Sequence, residues 1–129
     1  MLKHENDKGR VCKRLAKLMD CTGMVDEDPL SAQPSYLKYL PIIEEKHGVR
    51  VLSDKQKGNK VIILCPRLEE WIIKSVSESG FKMSDFGLPD KANELHRVIN
   101  GRLQAFQKVI DKLIELENPG ILFLKSHLT

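Results

Sequence analysis

The residues of this chain best suited to chemistry are three consecutive acidic ones, Asp26-Glu27-Asp28, which follow a short apolar run and precede Pro29. If the apolar run is a strand, side chains alternate between its faces, so Asp26 and Asp28 point the same way. Two carboxylates on one side at the end of a strand suit a hard divalent cation such as Mg²⁺ or Mn²⁺. An acidic, solvated turn is the alternative, because Asp and Pro are ordinary turn residues.

A second acidic pair, Glu69 and Glu70, follows the most strand-like stretch of the chain, residues 60–65. This stretch is rich in β-branched residues without polar alternation, which predicts a strand buried on both faces, as in a parallel sheet. Since ligands of such sheets gather at the carboxyl ends of the strands, we expect both acidic clusters at one rim. Converging carboxylates repel one another unless a cation neutralises them, which favours a metal site. The alternative is that Glu69 and Glu70 only complement the dipole of the helix they begin.

The elements that must position these residues are inferred from hydrophobic periodicity and from turn residues. Helices are predicted over residues 8–19, 36–47, 67–79 and 91–117. Strands are predicted over residues 22–25, 49–52 and 60–65, with a very short one before Glu5. This order predicts an α/β fold with a small, mostly parallel sheet flanked by helices and a long C-terminal helix. At 129 residues the chain is expected to form a single domain.

Composition sets modest limits on partners and location. The chain carries 21 Lys and Arg against 18 Asp and Glu, so any contact with nucleic acid would depend on local clusters rather than on bulk charge. Its 3 cysteines form no C-x-x-C pair, which argues against zinc and against a disulfide framework. No apolar run has the length of a signal-peptide core or of a bilayer span, so a cytoplasmic protein without a membrane partner is expected.

Three features of the sequence together resemble the Toprim fold. They are Glu5, the pair Asp26-x-Asp28 after one strand, and the segment Pro66-Arg67-Leu68-Glu69-Glu70-Trp71 after a second strand. The segment is most similar to that of the compact Toprim-like proteins related to RloB and to OLD-type nucleases. The resemblance covers residues 4–80, and the helical C-terminal extension over residues 81–129 lies outside it. Glu5 is followed by Asn6, where the family usually has glycine.

The resemblance implies Mg²⁺-dependent phosphoryl transfer or nuclease-like chemistry on nucleic acid or a nucleotide. In that chemistry Glu5 acts with Asp26 and Asp28, either as a metal ligand or as a general base. The implied metal ligands are all acidic: Asp26, Asp28, Glu69 and Glu70. The implied phosphate-neutralising residues are all basic: Lys8, Arg10 and Arg67.

The alternative is a non-catalytic interaction or assembly protein with a degenerate Toprim-like fold. The long helix predicted over residues 91–117 presents a broader apolar face than a small sheet can cover. Under this interpretation the helix pairs with its counterpart in a homodimer or docks a partner protein.

Overall fold

The computed structural model describes residues 8–128, so Glu5 lies outside the described residues. The chain divides into two compact units, Met1–Leu68 and Glu69–Thr129. In the described part, the first unit contains a four-stranded sheet and the second is helical. The predicted α/β class is therefore confirmed.

The first unit alternates short helices with strands, and its sheet is mixed. Its elements are α1 (Lys8–Leu15), β1 (Thr22–Asp26), α2 (Ser35–Lys38), β2 (Ile42–Lys46), β3 (Val49–Asp54) and β4 (Asn59–Leu64). The strand order is β1-β4-β3-β2, and only β1 and β4 run parallel. The prediction of a mostly parallel sheet is therefore wrong, because β2, β3 and β4 are joined by hairpins instead of helical crossovers.

The first hairpin replaces most of the helix predicted over residues 36–47. His47 and Gly48 link β2 to β3 with φ angles of 54° and 72°, and two consecutive positive φ values are typical of a type I′ hairpin turn. A left-handed glycine also ends helices, so Gly48 alone did not distinguish the two structures. The β-branched Ile42 and Ile43 at the start of β2 favour the strand.

The strand predicted over residues 60–65 is confirmed as β4, the strand between β1 and β3. Its side chains from Val61 to Leu64 are all 5% exposed or less. Burial of consecutive residues means that both faces of this strand are covered, which explains the absence of polar alternation. The core on one face joins α1 to the sheet through these buried side chains: Cys12, Leu15, Val25, Leu37, Leu52, Val61 and Ile63.

A buried asparagine holds the end of α1 against the sheet. Asn59 is 2% exposed, and its Nδ2 donates to the carbonyl oxygens of Leu15 at 2.8 Å and Leu18 at 2.9 Å. Its Oδ1 accepts a hydrogen bond from the backbone N–H of Cys21 at 2.9 Å. These bonds satisfy carbonyls that the end of a helix leaves without intrahelical donors.

Gly58, in the turn between β3 and β4, gives a sharp test of this packing. It has a φ of 71°, and a Cβ placed there would collide with Oδ1 of Asp20. Gly87 has the same φ of 71° but open space around it. We expect Gly58→Ala and Gly87→Ala each to lower the free energy of unfolding by about 1–2 kcal/mol through left-handed strain, because the exposed Asp20 carboxylate can rotate away from the added methyl group. Urea denaturation of the two variants measures both losses, and a clearly larger loss for Gly58→Ala would show that the Asp20 side chain is held in place.

The second unit is a series of helices. They are α3 (Leu68–Glu78), whose first residue belongs to the first unit, α4 (Ala92–Val98), α5 (Leu103–Glu115) and α6 (Pro119–Leu128), with 3₁₀ turns at Met83–Phe86 and Ile99–Gly101. The single helix predicted over residues 91–117 is therefore wrong, because the chain breaks between α4 and α5. Gly101 ends the 3₁₀ turn and Arg102 leaves the helical region with φ −133° and ψ 42°, in keeping with the weak helical preference of glycine.

The end of the second unit is a helix that begins with a side-chain cap. Oδ1 of Asn118 accepts a hydrogen bond from the backbone N–H of Ile121 at 3.0 Å, and Pro119 takes the first helical position. Asparagine at the cap followed by proline is a favoured way to begin a helix. No helix within residues 8–128 is long and apolar enough to cross a membrane.

Candidate functional site

The acidic turn lies at the carboxyl ends of the two parallel strands. Asp26, the last residue of β1, stands opposite Leu64, the last residue of β4. The backbone N–H of Glu27 donates to the carbonyl of Leu64 at 2.9 Å, and that of Asp28 donates to the carbonyl of Pro66 at 2.9 Å. These bonds continue the pairing of the strands into the turn. We refer to residues 26–28 in this position as the acidic rim.

Asp26 has a defined structural partner at the rim. Its Oδ1 accepts a hydrogen bond from the backbone N–H of Leu68 at 2.9 Å, and Leu68 is the first residue of α3. A carboxylate that accepts from the first N–H groups of a helix satisfies a donor without an intrahelical partner. This bond fixes the orientation of the Asp26 side chain, which is half-buried.

Asp28 lies beyond the strand, where its backbone turns. Its φ is 42°, in the left-handed region, and aspartate is one of the residues that tolerates this conformation. Its carbonyl accepts hydrogen bonds from the backbone N–H of Ser31 at 3.0 Å and from Ser31 Oγ at 2.8 Å. Strand alternation therefore applies only as far as Asp26, and a common direction for the two carboxylates stays a prediction.

Lys8, predicted to neutralise a phosphate, extends from α1 to the acidic rim. Its Nζ donates to the carbonyl oxygen of Glu27 at 2.6 Å and also to Oε1 of Gln33. Burial lowers the pKa of Lys8, and nearby negative groups, the rim carboxylates of Asp26 and Asp28 among them, act in the opposite direction. The structure thus brings one predicted cation and the predicted carboxylates together.

Sequence reasoning missed a second cation at the rim, Arg50. Its guanidinium lies 3.3 Å from Oε2 of Glu27 and also pairs with Glu45 on β2. The hydrogen bond to Glu45 is the main cause that raises the pKa of Arg50. The only signal in the sequence was one charged residue between two valines in the run Val49-Arg50-Val51. The carboxylate of Glu27 is thereby directed to a cation.

The remaining predicted basic residues are placed less specifically. Arg10 is exposed on α1, and Arg67 is half-buried directly before α3. Neither position by itself indicates contact with a phosphate.

Glu69 and Glu70 belong to the second unit, whereas Asp26 and Asp28 belong to the first. Glu69 is 1% exposed, and its Oε2 lies 3.6 Å from Nδ1 of His96 on α4. Glu70 is half-buried in the first turn of α3. A shared metal site for the two acidic pairs stays a prediction.

Within residues 8–128, no group of three or more His, Cys, Asp or Glu side chains is arranged to hold a metal ion. The candidate donor set in this part of the chain is therefore the pair Asp26 and Asp28. Two carboxylates agree with the way in which Mg²⁺ is often bound, by one or two carboxylates together with water and substrate phosphates.

Comparison with known proteins found no matching family model, no matching curated protein and no matching solved structure.

Proposed function

We propose that the first unit catalyses Mg²⁺-dependent phosphoryl transfer on nucleic acid or a nucleotide at the acidic rim. The observation that carries this proposal is the meeting of carboxylates and cations at the carboxyl ends of two parallel strands. Asp26 ends β1 and Asp28 follows it, and Lys8 and Arg50 lie against the same turn. Sheets of α/β proteins commonly bind their ligands at such ends.

The residues present fit a magnesium ion, because two carboxylates offer the hard oxygen ligands that it prefers. Asp26 and Asp28 would hold the ion, which would neutralise negative charge on phosphate oxygens and lower the pKa of a bound water. The hydrogen bond from Leu68 N–H keeps the Asp26 carboxylate at the rim. Lys8 and Arg50 place positive charge where a substrate phosphate would approach.

Metal-dependent stabilisation tests the proposal directly. We expect Mg²⁺ or Mn²⁺ at about ten times its Kd to raise Tm by about 3–6 °C, since binding to the folded state alone stabilises by about 1.4 kcal/mol. Asp28→Asn should abolish this shift. Asp26→Asn should abolish it as well, while its amide oxygen can still accept from Leu68 N–H.

The matched control for these variants is Glu94→Gln, which neutralises an exposed carboxylate on α4. It should leave the metal-induced shift unchanged. Cleavage of a labelled oligonucleotide in Mn²⁺ gives the second measurement, and it should disappear in Asp28→Asn. Equal Tm shifts in the wild type and in Asp28→Asn would refute the metal site.

The alternative, a non-catalytic assembly protein, is favoured by one observation. The ammonium of Lys8 already lies against the acidic rim, so the chain itself supplies part of the neutralising charge. In this case the contact surface would lie on α5, where Leu103 and Leu116 near its two ends remain 60% and 43% exposed.

Lys8→Met separates the two candidates. If the rim binds metal, removal of the neighbouring positive charge should tighten metal binding several-fold. If the protein is non-catalytic, neither the wild type nor Lys8→Met should respond to Mg²⁺. In that case light scattering should show a dimer that Leu103→Lys dissociates.

A further inference from the structure

The first unit contains a cleft of about 480 Å³ at the end of the sheet where β3 ends and β4 begins. Its volume falls within the range of about 300–1,000 Å³ that is typical of small-ligand sites. The lining combines aromatic and aliphatic side chains with polar and basic ones, among them Tyr36, Tyr39, Leu40, Asp54, Lys55 and Lys57. A planar ligand that carries negative charge matches this mixture.

Part of the lining is held in place by hydrogen bonds within the unit. The hydroxyl of Tyr36 donates to Oδ2 of Asp54 at 2.7 Å and accepts from Nδ2 of Asn59 at 3.3 Å. Lys57 Nζ donates to the carbonyl of Ala16, directly after α1. The ring of Tyr36 and the stem of Lys57 are therefore ordered before any ligand arrives, which reduces the entropic cost of binding.

The Asp54 carboxylate already has a hydrogen-bond partner inside the cleft, the hydroxyl of Tyr36. The hydrogen bond from Tyr36 is the main cause that lowers the pKa of Asp54, and burial raises the pKa of Tyr36. At neutral pH the pair is thus a carboxylate that accepts from a neutral phenol. Because the Asp54 carboxylate is already hydrogen-bonded, it does not require a cationic ligand. The lysines of the cleft then give it a positive character.

The groups available to a ligand are an exposed ring and an exposed ammonium. Tyr39 is 85% exposed, and Lys55 is exposed in the turn after β3. Further exposed cations, Lys13 and Lys17, lie on and just after α1, whose neighbouring Ala16 also lines the cleft. An aromatic face next to positive charge is the combination with which proteins bind single-stranded nucleic acid, by base stacking and phosphate pairing.

We propose that this cleft binds a nucleotide as one unit of single-stranded nucleic acid, with its base stacked on Tyr39 and its phosphate paired with Lys55. The cleft is separate from the acidic rim. Asp54 pairs with Asn59 at the start of β4, and Asp26 pairs with Leu64 at its end, a distance of about 16 Å along the strand. Binding in the cleft therefore goes beyond the chemistry proposed for the rim and needs no metal.

Fluorescence anisotropy with the full chain, labelled oligo-dT and oligo-U in EDTA tests this proposal. We expect Tyr39→Ala to weaken binding by about 5- to 150-fold through loss of one stacked base, and Tyr39→Phe to retain it. Lys55→Ala should reduce the slope of log Kd against log salt by about 0.7, the value for one phosphate contact on a single strand. Lys74→Ala removes an exposed lysine of α3 that does not line the cleft and should change neither quantity.

Competition experiments identify the source of the nucleotide. If thymidine monophosphate displaces the labelled oligomer as well as unlabelled oligo-dT does, the natural ligand of these contacts is a free nucleotide. If thymidine monophosphate displaces the labelled oligomer much more weakly, the ligand is a nucleic-acid strand. Three results would overturn the proposal: no binding below about 100 µM at low salt, affinity unaffected by Tyr39→Ala, or poly-glutamate binding as tightly as the oligonucleotide. Because EDTA removes the metal, these results are independent of those for the rim.

Discussion

Replacement of Asn59 by alanine is expected to lower the free energy of unfolding by about 3–5 kcal/mol. Asn59 is 2% exposed and donates to the carbonyls of Leu15 and Leu18 and to the hydroxyl of Tyr36. It also accepts from Cys21 N–H. Alanine removes the two N–H donors that these three acceptors share, and it removes the acceptor of Cys21 N–H; the bond to Leu15 is buried and the others are partly buried. Each lost partner costs about 1–3 kcal/mol before water and relaxation recover a part. Urea denaturation followed by far-UV circular dichroism measures the loss.

The matched control is Asn100→Ala, because Asn100 is exposed in the 3₁₀ turn between α4 and α5. It should change stability by less than about 0.5 kcal/mol. Asn59→Asp should be at least as damaging as alanine, since it places a carboxylate against two carbonyl oxygens. A loss below about 1 kcal/mol for Asn59→Ala would show that these bonds contribute little to stability.

Asn118→Ala should lower the stability of the second unit by about 2–4 kcal/mol. Asn118 is 5% exposed, and its Oδ1 caps α6 through the N–H of Ile121. Its Nδ2 donates to the carbonyl of Ser75 at 3.2 Å and to Oγ of Ser79 at 2.9 Å. The cap contributes about 1 kcal/mol and the buried donors the remainder. Fluorescence of Trp71, the single tryptophan, reports on this unit during urea denaturation.

Asn118→Ser separates the two contributions. Serine can still cap α6 but is too short to reach Ser75, so it should recover about 1 kcal/mol relative to alanine. Asn93→Ala, at an exposed position of α4, serves as the neutral control. If serine were as damaging as alanine, the cap would make no measurable contribution.

Asn59 also connects the two candidate sites of the first unit. It holds the end of α1, and α1 provides Lys8 at the acidic rim. Ala16, directly after this helix, lines the cleft. Loss of Asn59 is therefore expected to weaken both metal and nucleotide binding, whereas Asp28→Asn and Tyr39→Ala should each affect one alone.

The parts of the fold that sequence predicted correctly are those coded by neighbouring residues. The unbroken apolar run of β4 required burial on both faces, and it is buried in the structure. The helix predicted over residues 67–79 is α3, and Gly80 follows it with a φ of 82°. In both cases the hydrophobic pattern that predicts the element lies within that element itself.

The parts predicted incorrectly depended on choices that local pattern leaves open. Gly48 fits the end of a helix and also a hairpin turn, and pairing of β2 with β3 selected the turn. The strands over residues 22–25, 49–52 and 60–65 were predicted, but β2 was not, and the strand directions follow from hairpins whose pairing is not local. The helix expected over residues 91–117 breaks near Gly101, although the helical spacing of apolar residues in the sequence continues past this point.

The sequence by itself predicted a strand over residues 22–25 with the three acidic residues directly after it, since an apolar run followed by acidic residues and proline is a local signal; the structure extends this strand by one residue, to Asp26. Only the tertiary structure decided what surrounds these residues. Lys8, on the preceding helix α1, donates hydrogen bonds to Glu27 and Gln33. Arg50, on β3, forms an ion pair with Glu27. The physical reason is that sheet order and helix packing bring together side chains that are far apart in the chain. The spacing of residues along the sequence does not specify which of these remote side chains come into contact.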